Sequence, residues 1–111
     1  MKARPIKAKI QKTYLISWVF SMFEIEYTNA FKKDLKALQK RNLSMSDLKA
    51  VIEILASGIN IPAKYKNHRL KGNMSDKWDI HIQPDWILLY TKDEKRKIIK
   101  LVRTGTHSDL F

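Results

Sequence analysis

The sequence predicts an α+β domain in which a strand and two helices precede an antiparallel sheet. Three observations carry this expectation. Apolar residues alternate at Phe23, Ile25 and Tyr27, the period of a strand with one buried face. Apolar residues then recur at helical spacing, at Phe31, Leu35 and Leu38 and again at Leu48, Val51, Ile52 and Leu55. Beyond residue 78, apolar runs at 80–82, 86–90 and 98–102 are separated by turn signals. A strand, then helices, then a meander is the order of segregated α and β structure. With 111 residues, the chain supports one domain and a single modest core.

Each element has its own local justification. Thr28 or Asn29 can cap the first helix, whose outer face carries Lys32, Lys33, Lys36 and Lys40. Ser44-Met45-Ser46-Asp47 resembles a capping box for the second helix, and Gly58 can end it in a left-handed conformation. The short connection predicts that the two helices pair antiparallel. Residues 58–77 form a long basic stretch without periodicity, and long loops in compact domains are usually functional or mobile. In the next strand Ile80 and Ile82 point one way, His81 and Gln83 the other. Pro84-Asp85 makes a turn. Trp86-Ile87-Leu88-Leu89-Tyr90 reads as a central strand covered on both faces. Lys92-Asp93-Glu94-Lys95 is the expected hairpin loop before Ile98–Val102 returns.

Charge narrows the partners. There are 22 Lys and Arg against 11 Asp and Glu, a net charge of +11. Such a surface favours phosphate backbones, anionic lipid or an acidic protein. The chain has no cysteine, which excludes disulfides, thiolate nucleophiles and zinc–thiolate sites and fits a reducing cytoplasm. Residues 1–21 stand apart. They hold Lys2, Arg4, Lys7, Lys9 and Lys12, no acid, and the apolar run Tyr14–Phe20. Without those five cations, 17 basic side chains still face 11 acidic ones, a net +6. The apolar run is well short of the ~20 residues that span a bilayer, and no small-residue cleavage site follows it. Three readings stand: a misassigned start codon with Met22 as the native start, an added membrane-surface or partner-binding arm, or a signal. The first is favoured by the strand that begins at once after Met22.

Candidate chemistry centres on the three histidines, His68, His81 and His107. Histidine suits proton transfer near neutral pH. Metal-free RNA cleavage needs a base for the 2′-hydroxyl, an acid for the departing 5′-oxygen and cations for the charge that gathers on phosphorus. His68, His81, His107 and Asp85 can supply the first two. Arg103, Lys71 and Arg69 can supply the third. Tyr65, Trp86 and Phe111 can stack on bases. Taken singly, each residue also has a plainer reading. His107 caps a strand end, Phe111 plugs the core, Trp86 is core, Asp85 is a turn residue, and Arg103 pairs with Asp109. No H-x-x-x-H pair supports a metal. No phosphate-binding loop, dinucleotide fingerprint or serine elbow is present, and no cofactor is expected.

Three segments together are more specific. They are Tyr65-Lys66-Asn67-His68-Arg69-Leu70-Lys71-Gly72, His81-Ile82-Gln83-Pro84-Asp85-Trp86-Ile87-Leu88-Leu89-Tyr90 and Arg103-Thr104-Gly105-Thr106-His107-Ser108-Asp109-Leu110-Phe111. With these and the opening strand, residues 22–111 resemble the YafQ branch of the RelE/ParE toxin superfamily. The resemblance implies a RelE-like, microbial-RNase-type fold and a ribosome-dependent endoribonuclease that cuts mRNA in the ribosomal A site. It implies catalytic roles for His68, His81, Asp85 and His107, with Phe111 and Trp86 placing the base and Arg103 as a phosphate ligand. It also implies a small antitoxin of the DinJ or RelB kind, and no membrane partner. One departure stands out: Trp78 occupies a position where such relatives commonly carry a basic residue. Two rivals remain. One is a non-enzymatic toxin of the ParE kind that binds gyrase, a role with no need of three histidines. The other is a plain nucleic-acid-binding module.

Overall fold

The computed structural model describes residues 22–111; the expectations for residues 1–21 lie outside the described residues. Strand β1 (Glu24–Tyr27) leads into helix α1 (Asn29–Gln39) and helix α2 (Met45–Ser57). The short strand β2 (His68–Arg69) lies between two single 3₁₀ turns, Ala63–Tyr65 and Gly72–Met74. Strands β3 (Trp78–Gln83), β4 (Trp86–Asp93) and β5 (Ile98–Gly105) follow, and a one-turn helix α3 (His107–Leu110) closes the chain. Among these elements no helix is long and apolar enough to cross a membrane.

The caps fall where the sequence places them. The Thr28 hydroxyl accepts from the Phe31 N–H, and the Ser44 hydroxyl accepts from the Asp47 N–H. Gly58 ends α2 at φ 75°, a conformation that costs glycine little. The sheet order is β1-β5-β4-β3-β2. It is antiparallel except at one edge, where β1 runs parallel to β5. Helix α1 lies against β5 and α2 against β3, and apolar residues of both helices share one core with the sheet.

Two local departures have clear causes. The β4–β5 loop is shorter than expected, because Lys92 and Asp93 pair with Ile99 and Ile98 as strand residues. The Lys92 ammonium sits over the Phe23 ring, and the Asp93 carboxylate accepts from the Arg96 N–H in the turn. The long basic stretch is also partly ordered into the sheet, with His68 opposite Asp79.

Registers sort the side chains by face, since directly opposed residues share one. Ile80, Leu88 and Thr104 align across β3, β4 and β5. Ile80 and Leu88 join Phe31, Leu38, Val51 and Leu55 in the main core. On the opposite face one row runs His68, Asp79, Leu89 and Arg103, and the next runs His81, Ile87 and Gly105. Ile87 and Leu89 are fully buried there, an apolar floor beneath polar neighbours. Strand β4 is thus covered on both faces, as its composition predicts.

Candidate active site

The polar face gathers side chains from distant parts of the chain. His68 is held by β2, His81 by β3, and His107 stands at the first position of α3. The His81 ring centroid lies 6.4 Å from that of His68 and 5.6 Å from that of His107. His68 and His107 are about half exposed; His81 sits deeper.

Beneath them lies Asp79, whose side chain is only 4% exposed. One carboxylate oxygen is 3.5 Å from His81 Nε2 and the other is 3.9 Å from His68 Nε2. These distances are ion-pair range rather than tight hydrogen bonds, and Oδ1 has no hydrogen-bond partner in the structure. A buried carboxylate left this way is costly unless a nearby cation compensates it. His81 Nδ1 also faces the Pro84 carbonyl at 3.2 Å. An imidazolium can donate to both acceptors, whereas a neutral ring donates to only one. Site reasoning from the sequence missed Asp79. The available signal was its position two residues before His81, on the same strand face.

The remaining partners fix the cluster. His68 Nδ1 lies 3.0 Å from the Lys66 carbonyl. His107 Nδ1 lies 3.3 Å from the exposed Asp85 carboxylate. Helix α3 is held by a full capping box between Thr106 and Asp109, and Arg41 reaches Asp109 at 2.7 Å. The Thr106 backbone N–H, helped by Arg41, holds the Asp109 carboxyl down at about 2. The strand end leaves room for that carboxylate at Gly105, where an added Cβ would meet Asp109 Oδ2 at 2.9 Å.

The other predicted residues divide. Phe111 is 59% exposed, with its ring 6.1 Å from His107, so it does not plug the core. Trp86 corrects the expectation of a base platform. It is 2% exposed and its indole N–H donates to the Thr104 hydroxyl, so no substrate reaches it. Arg103 lies on the histidine face, but its guanidinium forms a two-pronged pair with Asp34 at 2.6 and 3.0 Å. That hydrogen-bonded pair raises the Arg103 pKa. Its partner is Asp34 rather than Asp109. Arg69 donates to the Ser75 carbonyl and so shapes the loop. Lys71 is exposed at the start of the second 3₁₀ turn. Tyr65 is half-buried beneath the Lys64 ammonium and lines an open cleft of about 370 Å³ beside His81. Trp78 stacks on Tyr90 with ring centroids 6.4 Å apart and packs against the core.

Asp79, His81 and His107 offer ligand atoms within 4.8 Å of one another, a spacing that can hold a metal ion. The sequence spacing argued against a metal because these ligands come from a strand and a terminal helix.

A small α+β domain with helices on a mostly antiparallel sheet is the fold of solved YafQ toxin structures. The family described as bacterial toxin of type II toxin-antitoxin system, YafQ, matches residues 23–111. The mRNA interferase toxin YafQ of Escherichia coli K12 is 40% identical over 89 residues, covering 79% of this chain and 95% of that protein. The crystal structure of the E. coli DinJ-YafQ toxin-antitoxin complex is similar with a TM-score of 0.75 and 40% identity, over 81% of this chain and 98% of that one. A metal-bound toxin from Helicobacter pylori is similar with a TM-score of 0.76 and 39% identity, over 81% of this chain and all of that one. The chain belongs to the YafQ family of type II toxin–antitoxin toxins.

Proposed function

We propose that this chain is an endoribonuclease toxin that cleaves mRNA on the ribosome by histidine acid–base chemistry. The observation that carries the proposal is the convergence of His68, His81 and His107 on one sheet face above Asp79. The naming of the E. coli relative as an mRNA interferase supports the substrate class.

Each group has a task. His81 and His107 form the acid–base pair, one accepting the 2′-hydroxyl proton and the other protonating the 5′-oxygen as it leaves. The 2′-oxygen forms a bond to phosphorus while the bond to the 5′-oxygen breaks, so the proton count balances and no water is consumed. Asp79 stabilises positive charge on His81 and His68 from below, and Asp85 orients His107. Negative charge on the phosphoryl oxygens is met by Arg103 on the histidine face and by the exposed cations Arg69 and Lys71 at and just after β2, with His68 as a further hydrogen-bond donor. Arg103 reaches phosphate only by sharing or leaving Asp34. Phe111 stacks on a base beside the scissile bond. No step requires a metal. Metal held by Asp79, His81 and His107 would occupy the nitrogens that move protons.

The partner follows from the family. The E. coli relative is solved in complex with DinJ, and a small antitoxin that covers the histidine face would silence this chain. Cleavage of a translated mRNA, measured with and without ribosomes and with the neighbouring small open reading frame co-expressed, tests the reading. Cuts within the translated message that need ribosomes and vanish with the antitoxin are expected. Intact message under all conditions contradicts it.

A further inference from the structure

The cleft beside His81 is not used by the acid–base scheme. Its walls include Asp47 from α2, Tyr65 from the first 3₁₀ turn, and Ile82 and Gln83 from the end of β3. At about 370 Å³ it falls within the ~300–1,000 Å³ of small-molecule sites. Strict alternation would keep Gln83 beside His81, but the register shifts between these residues, and the Gln83 amide instead reaches Asp47. Gln83 Nε2 donates to Asp47 Oδ2 at 3.0 Å.

That contact fixes the amide. A carboxylate only accepts, so the NH₂ group must face Asp47 and the carbonyl oxygen must point elsewhere. Asp47 is itself anchored, because its backbone N–H donates to the Ser44 hydroxyl at the helix cap. Gln83, Tyr65 and His81 all line the cleft, so the amide oxygen that Asp47 leaves free belongs to the same wall as an aromatic ring and an imidazole. Lys64 covers the Tyr65 ring at 5.1 Å. It is exposed and flexible, so a base can displace it and leave its ammonium for the adjoining phosphate.

We infer that this cleft is a nucleobase subsite next to the scissile bond, in which Tyr65 stacks on the base and Gln83 selects an exocyclic amine. Adenine and cytosine carry an amine donor on the edge where guanine and uracil carry a carbonyl. A fixed carbonyl oxygen accepts from the first pair and repels the second. Asp47 is a positioning residue, because it prevents the amide from turning to offer its NH₂ group. This inference rests on the proposed cleavage of RNA and names the base class that the same site prefers.

The test is a set of translated messages that carry A, C, G or U in turn at each of the two nucleotides flanking the cut. Single-turnover rates and KM are measured for the unaltered chain, Gln83→Met, Asp47→Ala and Tyr65→Leu. At one flanking position A and C should be cut faster than G and U, by roughly 3- to 10-fold for one discriminating hydrogen bond. Gln83→Met should level the four rates. Asp47→Ala should do so by raising G and U, a gain that a merely structural role would not produce. Tyr65→Leu should raise KM for all four bases alike. Normal cleavage with no base preference, or a preference unchanged in both Gln83→Met and Asp47→Ala, overturns the subsite alone. No cleavage of any message by the unaltered chain overturns the parent reading and the subsite with it.

Discussion

Asp79 is the residue on which the site's electrostatics turn. Its buried carboxylate approaches two histidines and makes a close hydrogen bond to neither. Asp79→Asn keeps the shape and removes the charge. It should slow cleavage, since the face that moves protons loses the negative charge beneath it, while ribosome affinity and the unfolding midpoint hold. An unchanged rate in the folded variant would mean that Asp79 only packs. Trp86 makes the opposite case. Its ring is buried and its N–H satisfied, so Trp86→Ala should cost about 3–5 kcal/mol of stability, read as a lower unfolding midpoint in urea. The sequence separates these two residues poorly. An acid before a histidine and a tryptophan after an aspartate carry no mark of depth. Only the register shows that one floors the site and the other faces the helices.

At the scale of elements, the terminal helix α3 is the part held least by burial and most by polar contacts. None of its residues is buried, yet it presents His107 and leads into Phe111. Thr106, Arg41 and the space above Gly105 hold it through Asp109. Gly105→Ala should push Asp109 away and slow cleavage while leaving the sheet core folded, checked by kinetics beside a thermal melt. The same contact sets an acid response. The Asp109 carboxyl lies near 2 in the fold against an ordinary 3.8. Its stabilising contribution is therefore present above about pH 4 and lost as pH falls toward 2. Asp109→Asn should lower stability at neutral pH and flatten its loss across that window, measured by melts from pH 5 downward. Strands β1, β3, β4 and β5 and both long helices were legible because caps and apolar periods are local signals; the two-residue β2 was not, being too short to show a period. Helix α3 was not, since a single turn shows no period. The parallel pairing of β1 with β5 joins segments far apart in the chain, and periodicity cannot report that.

For the whole molecule, charge and fold answer different questions. The net charge of +11 speaks to an anionic partner and to the rate of encounter, not to the reaction. Binding to ribosomes should weaken as salt rises, by roughly 0.7–0.9 log unit per log unit of salt for each phosphate contact displaced. A filter-binding series over salt checks this, and a flat response would remove phosphate contact from the account. The candidate site was legible as a set of residue types, since the histidine segments name the family. Its geometry was not. His68, His81 and His107 are far apart in sequence, and the sheet registers and α3 bring their rings together.

The central claim is that His81 and His107 carry the proton transfers. It is tested most directly by single-turnover cleavage of message on saturating ribosomes, comparing the unaltered chain with His81→Ala, His107→Ala and the double variant. Each single change should lower the rate by about 10²–10⁴-fold and remove one limb of the pH–rate profile. Ribosome affinity should hold, and melting should move little for the exposed His107. Near-normal cleavage by a folded double variant would contradict the account and shift the chemistry to His68, Asp85 or the cations alone.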